Sequence, residues 1–129
     1  SYQTKLGYIA LKAFFRICED WNCTVDEQCK LLGGIGLIQL EQMRSERARE
    51  LDRKTLIRIR CFVMIYKALV YKNGSIPKAN REIRVPISGS LFVGKSPLNH
   101  ILRNDMIGLM EVCKYFAGKL PEQLPVEAA

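Results

Sequence analysis

Leu91-Phe92-Val93-Gly94-Lys95-Ser96-Pro97-Leu98 is the stretch on which the reading of this chain turns. Ser96 reads as a helix N-cap and Pro97 as the first helical residue. The serine oxygen can accept from the N–H of Leu98 or Asn99, and proline lacks a donor where none is needed. Gly94 lets the backbone bend just ahead of the cap. The same residues close a run, Gly89 to Ser96, that fits G-x-x-x-x-G-K-[ST], the phosphate-cradling loop of nucleotidases. That motif has meaning only between a strand and a helix of a parallel sheet, with a second strand ending in a metal-holding Asp. Ile83 to Ile87 offers a short strand, but the pattern after Pro97 is helical and no apolar run there ends in Asp. A plain helix start is the reading adopted.

Downstream of the cap, a first helix over Pro97 to Leu102 is followed by another that starts at Asn104 or Asp105. Met106, Leu109, Met110, Cys113 and Phe116 mark its buried face, and Gly118 ends it. Lys119 to Ala129 holds two prolines and few anchors, so this tail is expected to be extended and mobile. Upstream, Ser75 to Ser90 is linker-like, with a short helical turn around Ala79 to Arg84. Asp52 can cap a helix that runs to Lys72 and stops at Asn73-Gly74. From Cys61 to Tyr71 that helix is apolar on nearly all sides. It should therefore be central, with the N-terminal helices on one side and the C-terminal module on the other.

The N-terminal part is also helical. Residues 5–20 repeat Leu6, Ala10, Ala13 and Ile17, widened by Leu11, Phe14 and Cys18. The polar side is narrow, with Lys5, Lys12, Arg16 and Glu19 in one stripe, which predicts that most of this helix is covered. Thr24-Val25-Asp26-Glu27 is a capping box opening a short helix to Leu32, closed by Gly33. After the glycine turn, Leu37 to Met43 forms a third helix, and the outline is that of a helix-turn-helix. Gln39, Gln42, Arg44 and Arg47 are its candidate DNA-contact residues, glutamine toward adenine and arginine toward guanine or phosphate, with Glu41 opposing phosphate. In Arg44 to Arg60 acids interleave with the many bases, the pattern of a solvated face. The expectation is an all-α fold, a helix-turn-helix-like domain over 1–74 joined by the long helix to a C-terminal module over 75–129.

The chain has 129 residues, 48% of them hydrophobic, and a formal charge of +7, which permits an anionic partner without requiring one. Its five cysteines are odd in number, lie mostly on apolar faces and form no C-x-x-C pair, so they read as reduced thiols in a cytoplasmic setting. With one histidine, His100, no zinc site is expected; no cofactor is implied either. No membrane span or signal-peptide pattern is present. Ser96, His100 and Asp105 suggest a triad, but Ser96 is committed to capping and no carboxylate evidently orients His100, so no catalysis is expected.

Phe92-x-Gly94-Lys95-Ser96-Pro97-Leu98, followed by two helices, resembles the toxin-binding domain of the Xre/MbcA/ParS antitoxins. Ala13 to Trp21, Thr55 to Ile59 and Ile65 to Leu69 are similar to that family in order and spacing, so the likeness covers roughly residues 10–118. The resemblance implies an antitoxin of a type II toxin-antitoxin system. Its partner would be a cognate RES-domain toxin, an enzyme that consumes NAD or uses it to modify a target. In such antitoxins the C-terminal module grips the toxin, and the segment around or after the last helix blocks the NAD cleft. Carried onto this chain, the toxin-binding set is Gly94, Lys95, Ser96, Pro97 and Leu98, which shape the module, with Lys119, Leu120, Leu124 and Val126 of the tail. Several relatives repress their own operon through the helix-turn-helix, which makes operator DNA a second expected partner; the competing expectation, from the +7 charge and the helix outline, is a helix-turn-helix DNA-binding transcriptional regulator without a toxin partner. A homodimer or a hetero-oligomer with the toxin is the expected assembly.

Overall fold

The computed structural model describes residues 1–122. Within them the fold is all-α, with helices α1 (Tyr2–Asp20), α2 (Val25–Leu31), α3 (Leu37–Ser45), α4 (Arg53–Asn73), α5 (Ile76–Glu82) and α6 (Pro97–Ala117) and no strand. The predicted caps are in place. Thr24 and Glu27 form a reciprocal capping box on α2. The Thr55 N–H donates to Asp52 Oδ1 at 2.7 Å. Gly74 and Gly118 close α4 and α6 in the left-handed conformation that favours glycine.

Two boundaries move for local reasons. α1 begins three residues earlier than its apolar pattern because Ser1 and Thr4 form a second capping box. α5 begins at Ile76 because Ser75 caps it and Pro77 fits its first turn. The two helices expected after Ser96 are both present within α6 and meet at a break at Asp105, whose φ of 53° and ψ of −135° are not helical.

α4 packs against α1, α5 and α6, and α2 also touches α6. One cluster of buried side chains therefore runs from Leu11, Phe14 and Trp21 through Phe62 and Ile65 to Leu109 and Val112. Phe62 ties it together, its ring 5.8 Å from Phe14 and 6.1 Å from Trp21. Burial of these large side chains supplies the main driving force for the fold. Polar ties fix the helices at their edges. Tyr66 donates to Asp20 Oδ2 at 2.6 Å, and burial, together with that bond, pushes the Tyr66 hydroxyl up to about 12.

Coverage is less complete than the pattern predicts. Tyr2, Tyr8 and Ile9 of α1 are exposed, so a strip of its apolar face has no helix over it. Tyr71, at the end of the apolar run in α4, is 91% exposed. No described helix is long and apolar enough to cross a membrane.

Candidate functional site: the C-terminal module

Residues 83–96 form a closed loop between α5 and α6. The Ile87 N–H donates to the Lys95 carbonyl at 3.1 Å and the Gly94 N–H returns a bond to the Ile87 carbonyl at 3.0 Å. Val93 N–H is taken by Gly89 and Lys95 N–H by Phe92. These are donors that a phosphate-binding loop would offer to its ligand, and here carbonyls of the same loop consume them. With no strand beside it, the Gly89–Ser96 match is structural.

Each motif residue has a separate task in that loop. Gly94 takes a φ of 78°. Ser96 Oγ accepts from the Asn99 N–H at 3.0 Å, as its position predicted. Pro97 and Leu98 are buried, and the Leu98 N–H donates to the Ile83 carbonyl at 2.9 Å, tying the start of α6 to the end of α5. Lys95 is exposed. Phe92 is buried, with its ring edge-on to His100 at 5.5 Å and to Tyr115 at 5.0 Å.

His100 has the carboxylate that the sequence did not reveal. Its Nε2 lies 3.0 Å from Glu111 Oε1, and its Nδ1 lies 3.3 Å from Asn104 Nδ2. Glu111 is eleven residues away, and only the break at Asp105 brings it back. Both ring nitrogens are thus engaged by side chains of α6, while Ser96 Oγ accepts from the Asn99 N–H. Gly108 makes the fold-back feasible: a Cβ there would stand 2.6 Å from the His100 carbonyl oxygen.

Two arginines join this module to the N-terminal helices. Arg58, almost buried, pairs with Asp105 at 2.9 Å, and its guanidinium lies against Gly33 in the α2–α3 turn. Arg84 donates to the carbonyls of Trp21 at 2.7 Å and Asn22 at 3.0 Å and pairs with Glu27 at 3.1 Å. Burial works to raise the Glu27 carboxyl, but the Thr24 N–H and the Arg84 guanidinium outweigh it and hold it below its ordinary value. Neither arginine had a sequence signal, since both partners are remote in the chain.

The module exposes several large apolar side chains among its charged ones. Val93, Ile107 and Tyr115 are exposed, as are Lys119 and Leu120 where the chain leaves α6. Leu124 and Val126, the other tail candidates, lie outside the described residues. Cys113 Sγ donates to the Lys119 carbonyl at 3.5 Å, which fixes the exit of that segment. All five cysteines are free thiols; a bond to Cys113, followed by burial, pushes Cys61 above the usual thiol range.

The helix-turn-helix candidates separate into two groups. Gln39 and Gln42 are exposed on α3 beside Leu37 and Ile38, the last 77% exposed. Arg44 and Arg47 are half-buried over α1: their guanidinium carbons lie 4.5 and 5.2 Å from the centre of the Phe15 ring, and Arg44 donates to the buried Gln28 at 2.6 Å and pairs with Glu41. No three His, Cys, Asp or Glu side chains gather as a metal site among the described residues.

No family model matches the chain, and no solved structure matches it. A curated relative, the uncharacterized protein y4oB of Sinorhizobium fredii (strain NBRC 101917 / NGR234), is 30% identical over 105 residues, covering 81% of this chain and 79% of the relative. At that identity and coverage the chain belongs to the family of y4oB.

Proposed function

We propose that this protein is an antitoxin that neutralises a RES-domain, NAD-consuming toxin by binding it, with the C-terminal module as the contact surface. The observation that carries this reading is a rigid platform with large apolar side chains exposed on it. Several backbone and side-chain polar groups of the loop over 83–96 and of α6 bond to one another, while Val93, Ile107, Tyr115 and Leu120 face outward. A surface held in place before binding loses little conformational entropy on association, and exposed apolar side chains near one another are the material of interface cores. In this reading Gly94, Ser96, Pro97 and Leu98 shape the platform. Lys119 and Leu120 lead the following segment, with Leu124 and Val126, into the toxin's NAD cleft.

The test is NAD consumption by a cognate RES-domain enzyme, with the protein titrated in. Stoichiometric loss of activity is expected, weakened by truncation after Gly118. Full activity with no complex on a sizing column would overturn the reading.

Autorepression of the operon is the second reading. It rests on the α2–glycine turn–α3 outline and on exposed Gln39 and Gln42. Because Arg44 and Arg47 are stacked on Phe15, base contact would fall to the glutamines. A mobility shift with the gene's own promoter, lost in Gln39→Ala/Gln42→Ala, is the corresponding test.

A further inference from the structure

A second surface lies away from the motif loop. α1 and α4 diverge over a groove of about 760 Å³. Its apolar wall and floor include Leu6, Ile9, Ala13, Leu56, Val63 and Met64. The loop before α4 closes one end, where the Arg49 carbonyl sits so near Gly7 that a Cβ there would be 1.8 Å from its oxygen. Ile9, 64% exposed, stands on the lip of this groove rather than under a helix.

The α4 rim carries a periodic row of bases, and Glu50, in the loop that closes one end, is the one acid in the lining. Arg53, Arg60 and Lys67 all line the groove, each seven residues from the next. At helical geometry they form one row along α4, spaced about 10 Å apart and drifting by only about 20° per step. Arg60 and Lys67 are exposed, and among the described residues neither is ion-paired. The row spans about 21 Å, the length of about four helical turns.

We propose that this groove is a docking site for an amphipathic helix from a partner protein, apolar on the buried face and carrying a carboxylate once per heptad along one edge. Such a helix would complete a three-helix layer with α1 and α4, its apolar face covering Ile9, Val63 and Met64 and its acids facing Arg60 and Lys67. The charge pattern selects this occupant. A second copy of the chain would bring its own basic row to the same face, and the chain carries a formal +7. Nucleic acid would match the charge but leave the apolar floor without a partner. The inference does not depend on the toxin-binding reading, since it uses none of the residues of the 83–96 loop.

The test uses a labelled synthetic helix of about three heptads, leucines on one face and glutamate at every heptad along its edge, read by fluorescence anisotropy. Saturable binding is expected. The doubly substituted Arg60→Glu/Lys67→Glu protein should bind about tenfold more weakly, and a peptide with lysine in place of glutamate should bind that variant better than the parent. Both positions are exposed, so the variant should keep the parent's melting curve. Val63→Glu, which puts a charge into the groove, should remove binding altogether. Equal affinity of parent and double variant for the acidic peptide, or no saturable binding, would overturn the proposal. So would sedimentation showing a dimer of this chain that Val63→Glu dissociates, because the groove would then be filled by a second copy.

Discussion

Among the helix pairs joined by abrupt turns, α2 with α3 and the first half of α6 with its second are held by different physics. The α2–α3 turn is built from glycines at positive φ, Gly33 at 97° and Gly34 at 84°, and the helix before it carries its own capping box. The break in α6 has no glycine at its apex. Asp105 occupies a backbone region where a side chain is strained, and it is held there by Arg58 from α4 and by the close approach at Gly108. The first turn is local chemistry; the second is imposed by tertiary contacts. Arg58 touches both, lying against Gly33 on one side and pairing with Asp105 on the other.

The largest effect should come from the support that both pairs share. Ile65 is fully buried in α4, and Ile65→Asp should remove the cooperative melt, since burying an unpaired carboxylate exceeds the roughly 5 kcal/mol at the low end of domain stability. A variant that melts near the parent would mean α4 is not the common support. Next is Gly108→Ala. In an ordinary helix this change stabilises by about 1 kcal/mol, but against the His100 carbonyl it should cost about 2–3 kcal/mol in denaturant titration. A gain would mean the two halves of α6 do not approach as described.

Asp105 isolates the strain itself. Both Asp105→Ala and Asp105→Gly lose the Arg58 ion pair, but only glycine relieves the backbone, so the alanine variant should be less stable by about 1–2 kcal/mol. Equal stabilities would place no strain at the break. The smallest effect concerns the α2 end of the comparison. Glu27 is held below its ordinary value of 4.5, so the folded state binds its proton less readily than the unfolded chain. Its contribution is complete above that value and disappears as pH falls through the lower, folded one. Glu27→Gln should therefore cost about 1 kcal/mol at neutral pH and converge on the parent in acid. A constant difference across that range would show that the charge of Glu27 is not what matters.

This contrast also explains what could be read in advance. Thr24, Asp52 and Ser96 announce helix starts because a cap acts within three residues of itself. The apolar run of α4 announced its central position. The position of Glu111 beside His100 was illegible, because it depends on a fold-back whose causes, Arg58 and Gly108, lie outside any local window. Arg44 and Arg47 looked like outward bases by composition, and only the placement of Phe15 on α1 draws their guanidinium groups over its ring. The open strip of α1 was missed for a related reason: periodicity shows that a face is apolar, not whether the chain has a helix to lay over it. The local roles of Gly94, Ser96, Pro97 and Leu98 at the start of α6 were readable, while the exposure of Val93 and Ile107 was not.

Arg84 sets the order in which the protein can be completed during synthesis. The carbonyls of Trp21 and Asn22, at the end of the first helix, bond to a guanidinium 63 and 62 residues later in the chain. Until that residue has left the ribosome, these acceptors have only water. Docking of Phe62 and Ile65 from α4 must likewise wait for their own emergence. The N-terminal helices are therefore made early but fixed late, and the native turn between α1 and α2 is sealed only when the linker to the C-terminal module arrives.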